Sequence, residues 1–297
     1  MSARPPFEDQ DVDVDGTRIH ATVGGAGPPV LLLHGYPQTH RMWHRVAPGL
    51  TDRHTVVLAD LRGYGDSSRP ASTADHASYS KRAMAEDQVG LMRELGFETF
   101  AVVGHDRGAR VAHRLCLDRP DAVTRVALLD IVPTRHVFTH VDRALAQAYY
   151  HWFFLAQDPD LPEHLIGADP EFYLRRKLAQ WSGGGGTEAF APEAVEEYVR
   201  CFSDPEVIRA SCEDYRAGAS IDLEHDEVDA AAGRRVECPA LVLWGEQGFV
   251  GRAYDVLEVW RGYAADVRGQ ALSGGHFPAE EDPDATLAAL RDFLGRG

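Results

Sequence analysis

The segment Phe100–Gly108 (FAVVGHDRG) has the pattern of a buried strand that turns sharply into a helix. Its apolar run, Phe100–Val103, is closed by Gly104, and helix-forming residues follow from about Ala109. Glycines on both sides of Asp106 let the chain turn sharply from a strand into a helix, because glycine has no Cβ to clash. The pattern predicts that the Asp106 carboxylate projects from this turn, where the helix N-terminus favours its ionised form.

An aspartate at the centre of such a turn indicates a particular chemistry. A serine oxygen would attack an sp² carbonyl carbon, whereas a carboxylate is better suited to displace a leaving group from sp³ carbon and form an ester. Taken alone, the pentapeptide Gly104–Gly108 is equally compatible with an aspartate that only caps the following helix. The choice between these roles depends on partner residues elsewhere in the chain.

Four further apolar runs resemble the one that precedes Asp106. They are Val30–Leu33, Thr55–Ala59, Val126–Leu129 and Ala240–Trp244. Short runs of this kind are typical of strands buried in a parallel sheet, and helical stretches such as Lys81–Leu95 alternate with them. The alternation predicts an α/β fold, with a mostly parallel sheet and helices on both faces. Ligands of such sheets bind beyond the carboxyl ends of the strands, where Asp106 lies.

The alternation stops between Thr134 and Leu223, a stretch rich in aromatic and helix-forming residues. It contains Tyr149–Phe154 (YYHWFF) and the glycine run Gly183–Gly186. We therefore expect a helical cap over residues 134–223, inserted between core segments 1–133 and 224–297. The glycine run would form a mobile loop within the cap.

Composition excludes several classes of function. The formal net charge of −16 argues against nucleic acids and anionic membrane surfaces as partners. No apolar run reaches transmembrane length, and Met1–Gln10 has no apolar signal-peptide core, so we expect a cytoplasmic protein. The cysteines are scattered and predict free thiols, and we expect no metal or organic cofactor. They are Cys116, Cys201, Cys212 and Cys238.

One histidine and three acidic residues are candidate partners for Asp106. His276, in Ser273–Phe277 (SGGHF), occupies the late position expected of a general base that deprotonates water. Asp130 ends the strand that follows the elbow helix, while Glu246 and Asp255 follow the next strand. The pattern leaves all three acids open, and two of them would then be helix caps or surface charges.

Six segments together resemble the fluoroacetate (haloacetate) dehalogenases of the α/β-hydrolase superfamily, over about Val30 to Phe293. The segments are His34–His40 (HGYPQTH), Gly104–Arg110 (GHDRGAR), Leu129–Ile131 (LDI), Tyr150–Trp152 (YHW), Cys212–Gly218 (CEDYRAG) and Gly275–Phe277 (GHF). The first and last occur across the superfamily, whereas the elbow with two arginines and the His-Trp pair are much narrower. The resemblance implies the α/β-hydrolase fold, hydrolysis of haloacetates and a homodimer.

The resemblance also implies the catalytic roles. Asp106 would be the nucleophile, His276 the base and Asp130 its acid partner. The backbone N–H groups of Tyr36 and Arg107 would form an oxyanion hole, which serves the step in which water attacks the ester carbonyl.

The binding roles follow from the same resemblance. Arg107 and Arg110 would clamp the carboxylate of a small anionic haloacid, which guanidinium groups can hold through paired hydrogen bonds. A local positive site of this kind would offset the repulsion from an acidic chain. The halide would be held by polar cap side chains, and a tryptophan would shape the pocket. These residues are His151, Trp152 and Tyr215 for the halide, and Trp181 for the pocket.

Two positions depart from the family pattern, and two other functions stay open. Tyr36 occupies a position where phenylalanine is more common, and Asp66 a position where we expect an aromatic residue. An epoxide hydrolase would use the same catalytic residues together with cap tyrosines, although it would have no need for paired arginines. A ligand receptor without activity would have no need for a complete set of nucleophile, base and acid.

Overall fold

The structure is a computed structural model that describes residues 7–295, and its centre is an eight-stranded sheet. The strands are β1 (Glu8–Val14), β2 (Thr17–Gly25), β3 (Pro29–Leu33), β4 (Thr55–Ala59), β5 (Phe100–His105), β6 (Val123–Leu129), β7 (Ala240–Gly245) and β8 (Val267–Leu272). Their order in the sheet is β1-β2-β4-β3-β5-β6-β7-β8. Strands β3 to β8 pair in parallel, whereas β2 pairs antiparallel with both β1 and β4. The predicted fold class, a mostly parallel α/β sheet, is confirmed.

The buried centre of the sheet explains why its strands could be recognised in the sequence. All six residues of β5 are buried, as are the last four residues of both β3 and β6. Strands that are covered on both faces need apolar side chains at consecutive positions, which gives the continuous runs seen in the sequence.

The hairpin of β1 and β2 was not predicted, although the sequence carries a signal for it. Apolar residues alternate through Val12, Val14 and Ile19, as in a strand with one exposed face. Asp15 and Gly16 at the turn both have positive φ, +50° and +83°, and an Asp-Gly pair favours such a two-residue turn.

The helices that pack with the sheet lie in the chain before β6 and after β7. They are α1 (Lys81–Glu94), α2 (Arg107–Asp118), α11 (Phe249–Ala253), α12 (Val256–Arg261), α13 (Pro278–Glu281) and α14 (Pro283–Leu294). The prediction of a helix over Lys81–Leu95 is confirmed, and the Ser80 hydroxyl caps it by accepting from the Ala83 N–H. Helix α2 begins at Arg107, slightly earlier than expected from the sequence.

Eight helices lie between β6 and β7. They are α3 (Thr134–Thr139), α4 (Arg143–Ala148), α5 (Tyr150–Leu155), α6 (Leu161–Gly167), α7 (Pro170–Trp181), α8 (Pro192–Phe202), α9 (Pro205–Gly218) and α10 (Ile221–Ala231). The expected boundary at residue 223 falls inside α10, so the helical stretch ends at Ala231. The division into core and cap, and the mobility of Gly183–Gly186, stay predictions.

Close packing at the start of α2 fixes the position of Asp106. A Cβ on Gly108 would lie 2.3 Å from the His34 carbonyl oxygen, and one on Gly35 would lie 2.5 Å from the Asp106 Cβ. Only glycine allows the elbow and the loop after β3 to approach this closely. Asp106 itself has φ +46°, the strained conformation expected of a nucleophile elbow.

All four cysteines are free thiols, as the sequence predicts. Among residues 7–295, no helix has the length and the apolar character required to cross a bilayer.

Candidate active site

The Asp106 carboxylate faces the loop after β3 and does not cap α2. Its Oδ2 accepts a hydrogen bond from the Tyr36 backbone N–H at 3.1 Å, and its side chain makes no capping bond to α2. The side chain is almost entirely buried. The geometry therefore disfavours the capping interpretation and places one predicted oxyanion-hole donor directly on the carboxylate.

Positive charges keep this buried carboxylate ionised. Burial raises the pKa of Asp106, but the charge of His276 and the guanidinium groups of Arg107 and Arg110 lower it by more. The net pKa is below the ordinary value for aspartate. Asp106 is consequently an anion at neutral pH, as a nucleophile must be.

Of the three candidate acids, Asp130 is the one that contacts His276. The imidazole Nδ1–H donates to Asp130 Oδ2 at 2.6 Å, while Asp130 Oδ1 accepts the Gly245 N–H at 3.0 Å. Asp255 instead caps α12 by accepting the Glu258 N–H, and Glu246 is exposed. With its Nδ1–H committed to Asp130, His276 has Nε2 available to take a proton from water.

The loop that carries His276 is held by two backbone contacts. The His276 N–H donates to the Trp181 carbonyl at 2.9 Å, and the buried His105 ring donates through Nε2 to the His276 carbonyl at 2.6 Å. Burial lowers the pKa of His105 to about 3, so its ring is neutral. Burial also lowers the pKa of His276, but the carboxylates of Asp130 and Asp106 raise it by more, and the net shift is upward.

Arg107 is tied to an acidic partner that the sequence did not reveal. Its Nε and Nη2 donate to the two carboxylate oxygens of Asp214 at 2.9 Å and 2.7 Å, and Nη2 also reaches the Asp214 carbonyl. Lys81 and the Tyr64 hydroxyl bind the same carboxylate. Nη1 of Arg107 makes no hydrogen bond within residues 7–295 and stays available to a ligand.

Arg110 is buried and anchored by neutral groups. Its Nη1 donates to the Val132 carbonyl and the Thr134 hydroxyl, both at 3.0 Å, while its Nε has no partner among the described residues. The guanidinium lies over the Trp152 ring, 4.5 Å from the ring centroid. The two arginines therefore flank Asp106 with donors left over, the arrangement that a carboxylate clamp requires.

The predicted halide-binding side chains form a buried aromatic cluster. The ring of Tyr215 lies 5.7 Å from that of His151 and 6.3 Å from that of Trp152, measured between centroids. The Tyr215 hydroxyl and His151 Nδ1 are buried and have no hydrogen-bond partner in the described part of the chain. Burial lowers the pKa of His151 well below 6.5, so its ring is neutral and offers one N–H.

The predicted pocket residue Trp181 borders this cluster. Its ring lies 4.5 Å from His151 and 5.6 Å from His276, and its buried Nε1 also has no partner among residues 7–295. Buried polar groups without partners are uncommon in proteins, so the three such atoms in the neighbouring rings of Tyr215, His151 and Trp181 are candidates for contact with a ligand.

The two departures from the family pattern lie in different surroundings. Tyr36 is fully buried, its ring packs 5.3 Å from that of Tyr215, and its hydroxyl finds no partner in the described residues. Asp66 forms an ion pair with Arg200 of α8 at 2.8 Å and does not line the cavity beside Asp106.

A cavity of about 320 Å³ opens beside Asp106. Six of the predicted residues line it: Asp106, Asp130, His151, Trp152, Trp181 and His276. Arg107, Arg110 and Tyr215 are not among its lining residues, although the Arg107 guanidinium lies 4.2 Å from the centroid of the Tyr215 ring. The lining also includes Tyr149, one of the cap tyrosines that the epoxide-hydrolase alternative would use, and three residues that were not singled out from the sequence: Gln180, Gln247 and Arg252.

Comparison with known proteins identifies the family. The sequence profile of the α/β hydrolase fold matches residues 28–283. This chain belongs to the α/β-hydrolase family. A fluoroacetate dehalogenase from Burkholderia sp is 51% identical over 97% of this chain and 94% of its own length, which confirms the resemblance inferred from the sequence.

This α/β hydrolase is also similar along most of its length to an epoxide hydrolase and to a protein of known structure. A soluble epoxide hydrolase from Corynebacterium sp. (strain C12) is 35% identical over 95% of each chain. A solved α/β-hydrolase structure from Nostoc sp PCC 7120 is 58% identical, covers 98% of this chain and 99% of its own, and superposes with a TM-score of 0.95.

Replacing Asp214 tests how the buried Arg107 is held. We predict that Asp214→Asn lowers the free energy of unfolding by about 3 kcal/mol, because the variant leaves buried cations without their counter-charge. Asp222→Asn is the matched control, since Asp222 contacts Lys81 but not Arg107. Urea unfolding of both variants provides the measurement. Equal losses in the two variants would show that the Arg107 pair has no special role in stability.

Proposed function

We propose that this protein is a haloacetate dehalogenase, which converts haloacetates such as fluoroacetate into glycolate and halide. The observation that carries the proposal is the ionised Asp106 carboxylate, held by the Tyr36 N–H beside the His276–Asp130 pair and flanked by two arginines. The 51% identity to a fluoroacetate dehalogenase along almost the whole chain supports the same conclusion.

In the first step, one Asp106 oxygen attacks the carbon that bears the halogen. The new C–O bond forms as the carbon–halogen bond breaks, and the halide leaves with the bonding electrons. The product is an ester of Asp106, in which the carboxylate has lost its negative charge. Arg107 and Arg110 would hold the substrate carboxylate and direct the carbon toward Asp106.

In the second step, water attacks the carbonyl carbon of the Asp106 ester. His276 Nε2 takes the proton of the water, while Asp130 stabilises the imidazolium that forms. Glycolate departs with the original Asp106 oxygen, which takes the proton back from the His276 imidazolium. The water oxygen stays in the aspartate, whose carboxyl group then loses the remaining water proton to solvent. Since esterification removes the Asp106 charge, one of the causes that raise the pKa of His276 disappears, and the ring becomes a neutral base more readily.

The leaving halide would be received by the aromatic cluster of the helical insertion. Tyr215 and His151 each have a buried polar atom without a partner among residues 7–295, and the Trp152 ring lies beside them. Donors aimed at a site where negative charge develops stabilise the transition state more than the ground state. Fluoride benefits most, because its charge is concentrated on a small atom.

Epoxide hydrolysis is the second candidate function. Tyr149 lines the cavity, and a tyrosine hydroxyl there could protonate an epoxide oxygen. The 35% identity to a soluble epoxide hydrolase is consistent with that activity. The buried arginines favour the haloacetate, since an epoxide has no carboxylate for them to hold.

Location, oligomeric state and partners also belong to the proposal. We propose a cytoplasmic homodimer that acts on a small anionic haloacid and does not bind nucleic acids or membranes. The acidic composition supports the exclusion of polyanionic partners.

Halide release distinguishes the two activities. We expect fluoride from fluoroacetate and chloride from chloroacetate, with much slower turnover of a simple epoxide and of chloroacetamide, which lacks the carboxylate charge. Ion-selective electrodes and product analysis provide the rates. An epoxide turned over faster than both haloacetates, or chloroacetamide hydrolysed as fast as chloroacetate, would contradict the proposal.

The aromatic cluster should accelerate the release of fluoride more than the release of chloride. Tyr215→Phe keeps the ring and deletes the hydroxyl, while Trp152→Phe keeps an aromatic side chain and deletes the indole N–H. Loss of a preorganised donor typically costs about 10²–10³ in rate. We predict that both variants lose more fluoroacetate turnover than chloroacetate turnover. The measurement is the ratio of the two rates relative to the unmodified enzyme, with Phe153→Leu as a packing control. An unchanged ratio would mean that these side chains only pack the cap.

A further inference from the structure

Arg252 is a cation at the cavity that the proposed reaction does not use. It lies on α11 and lines the cavity, and its side chain is exposed, which places it at the opening. Its guanidinium makes no hydrogen bond or ion pair with any residue of the described chain, 7–295. The other charged residues of the lining are Asp106, Asp130 and His276, which belong to the catalytic set.

The cavity is larger than a haloacetate requires. Its volume of about 320 Å³ falls within the range of about 300–1,000 Å³ that is typical of pockets for drug-sized ligands. A haloacetate has a skeleton of only two carbons and would leave most of this space unfilled. The space extends from Asp106 to Arg252, so a longer substrate could fill it while its reacting carbon stays at the nucleophile.

We propose that Arg252 recognises a second, distal carboxylate, and that the enzyme accepts 2-halo dicarboxylates whose two carboxylates lie at opposite ends of the cavity. The proposal rests on the proposed dehalogenation, with Arg107 and Arg110 holding the carboxylate next to the reacting carbon. Gln247, also exposed in the lining, could donate its side-chain amide to the same distal group.

The charges of the site explain why a distal carboxylate would be selected over an apolar tail. A chain with a net charge of −16 repels anions at most of its surface, so an unpaired arginine at the opening is a local exception. A guanidinium matches a carboxylate through two parallel hydrogen bonds, and no acidic residue within 7–295 competes for Arg252.

The substrate series that tests this inference varies chain length and the terminal charge. 2-Chloroglutarate, 2-chloroadipate and 2-chloropimelate are compared with 2-chloro monocarboxylates of the same chain length. We expect at least one dicarboxylate to be hydrolysed with a higher kcat/KM than its matched monocarboxylate. A preference for the monocarboxylate at every length would overturn the inference.

Variants of Arg252 test whether it supplies the selectivity. In Arg252→Gln, kcat/KM for the preferred dicarboxylate should fall about threefold to tenfold through KM, the range expected for a partly exposed charge pair, while chloroacetate turnover is unchanged. Arg53→Gln is the matched control, because it removes one exposed charge outside the cavity lining. Equal effects of the two variants on the dicarboxylate would contradict a specific role for Arg252.

A binding measurement separates this inference from the proposed reaction. Isothermal titration with glutarate, adipate and pimelate needs no turnover, and at least one should bind the unmodified protein more tightly than it binds Arg252→Gln. If no haloacid were hydrolysed but this difference held, the proposed function would fail and the distal site would stand. If haloacetates were hydrolysed and no difference were found, the distal site would be wrong.

Discussion

The site depends on keeping one buried carboxylate ionised. Burial alone would favour protonation of Asp106, and a protonated carboxyl group is a poor nucleophile. The compensating charges are Arg107, Arg110 and His276, and each is itself held by another part of the chain. The elbow glycines, the loop after β3 and the His276 loop converge on this point because the carboxyl ends of parallel strands meet there.

The same requirement explains the position of Arg107. A guanidinium buried beside Asp106 needs a strong partner, and Asp214 of α9 provides it together with Lys81. This network links the core to the helical insertion directly behind the nucleophile. Arg107 is therefore rigidly placed and still retains Nη1 for a ligand, a combination that favours precise orientation of a substrate.

Local patterns in the sequence predicted the parts of the structure that depend on neighbouring residues. Gly104, Gly108 and the apolar run before them predicted the elbow, because a strained turn requires glycine. The sequence could not assign Asp214 to Arg107, since the two residues are far apart in the chain and meet only when folding brings α9 to the start of α2. Arg252 was missed for a similar reason: it looks like any surface arginine until the cavity is formed.

A single turnover in H₂¹⁸O tests most directly whether Asp106 is the nucleophile. With enzyme in excess over fluoroacetate, we predict that ¹⁸O appears in the Asp106 peptide, while the glycolate of that first turnover carries none. Mass spectrometry of the digested protein and of the glycolate measures both. Labelled glycolate with an unlabelled Asp106 would mean that water attacks the substrate directly and that Asp106 is not the nucleophile.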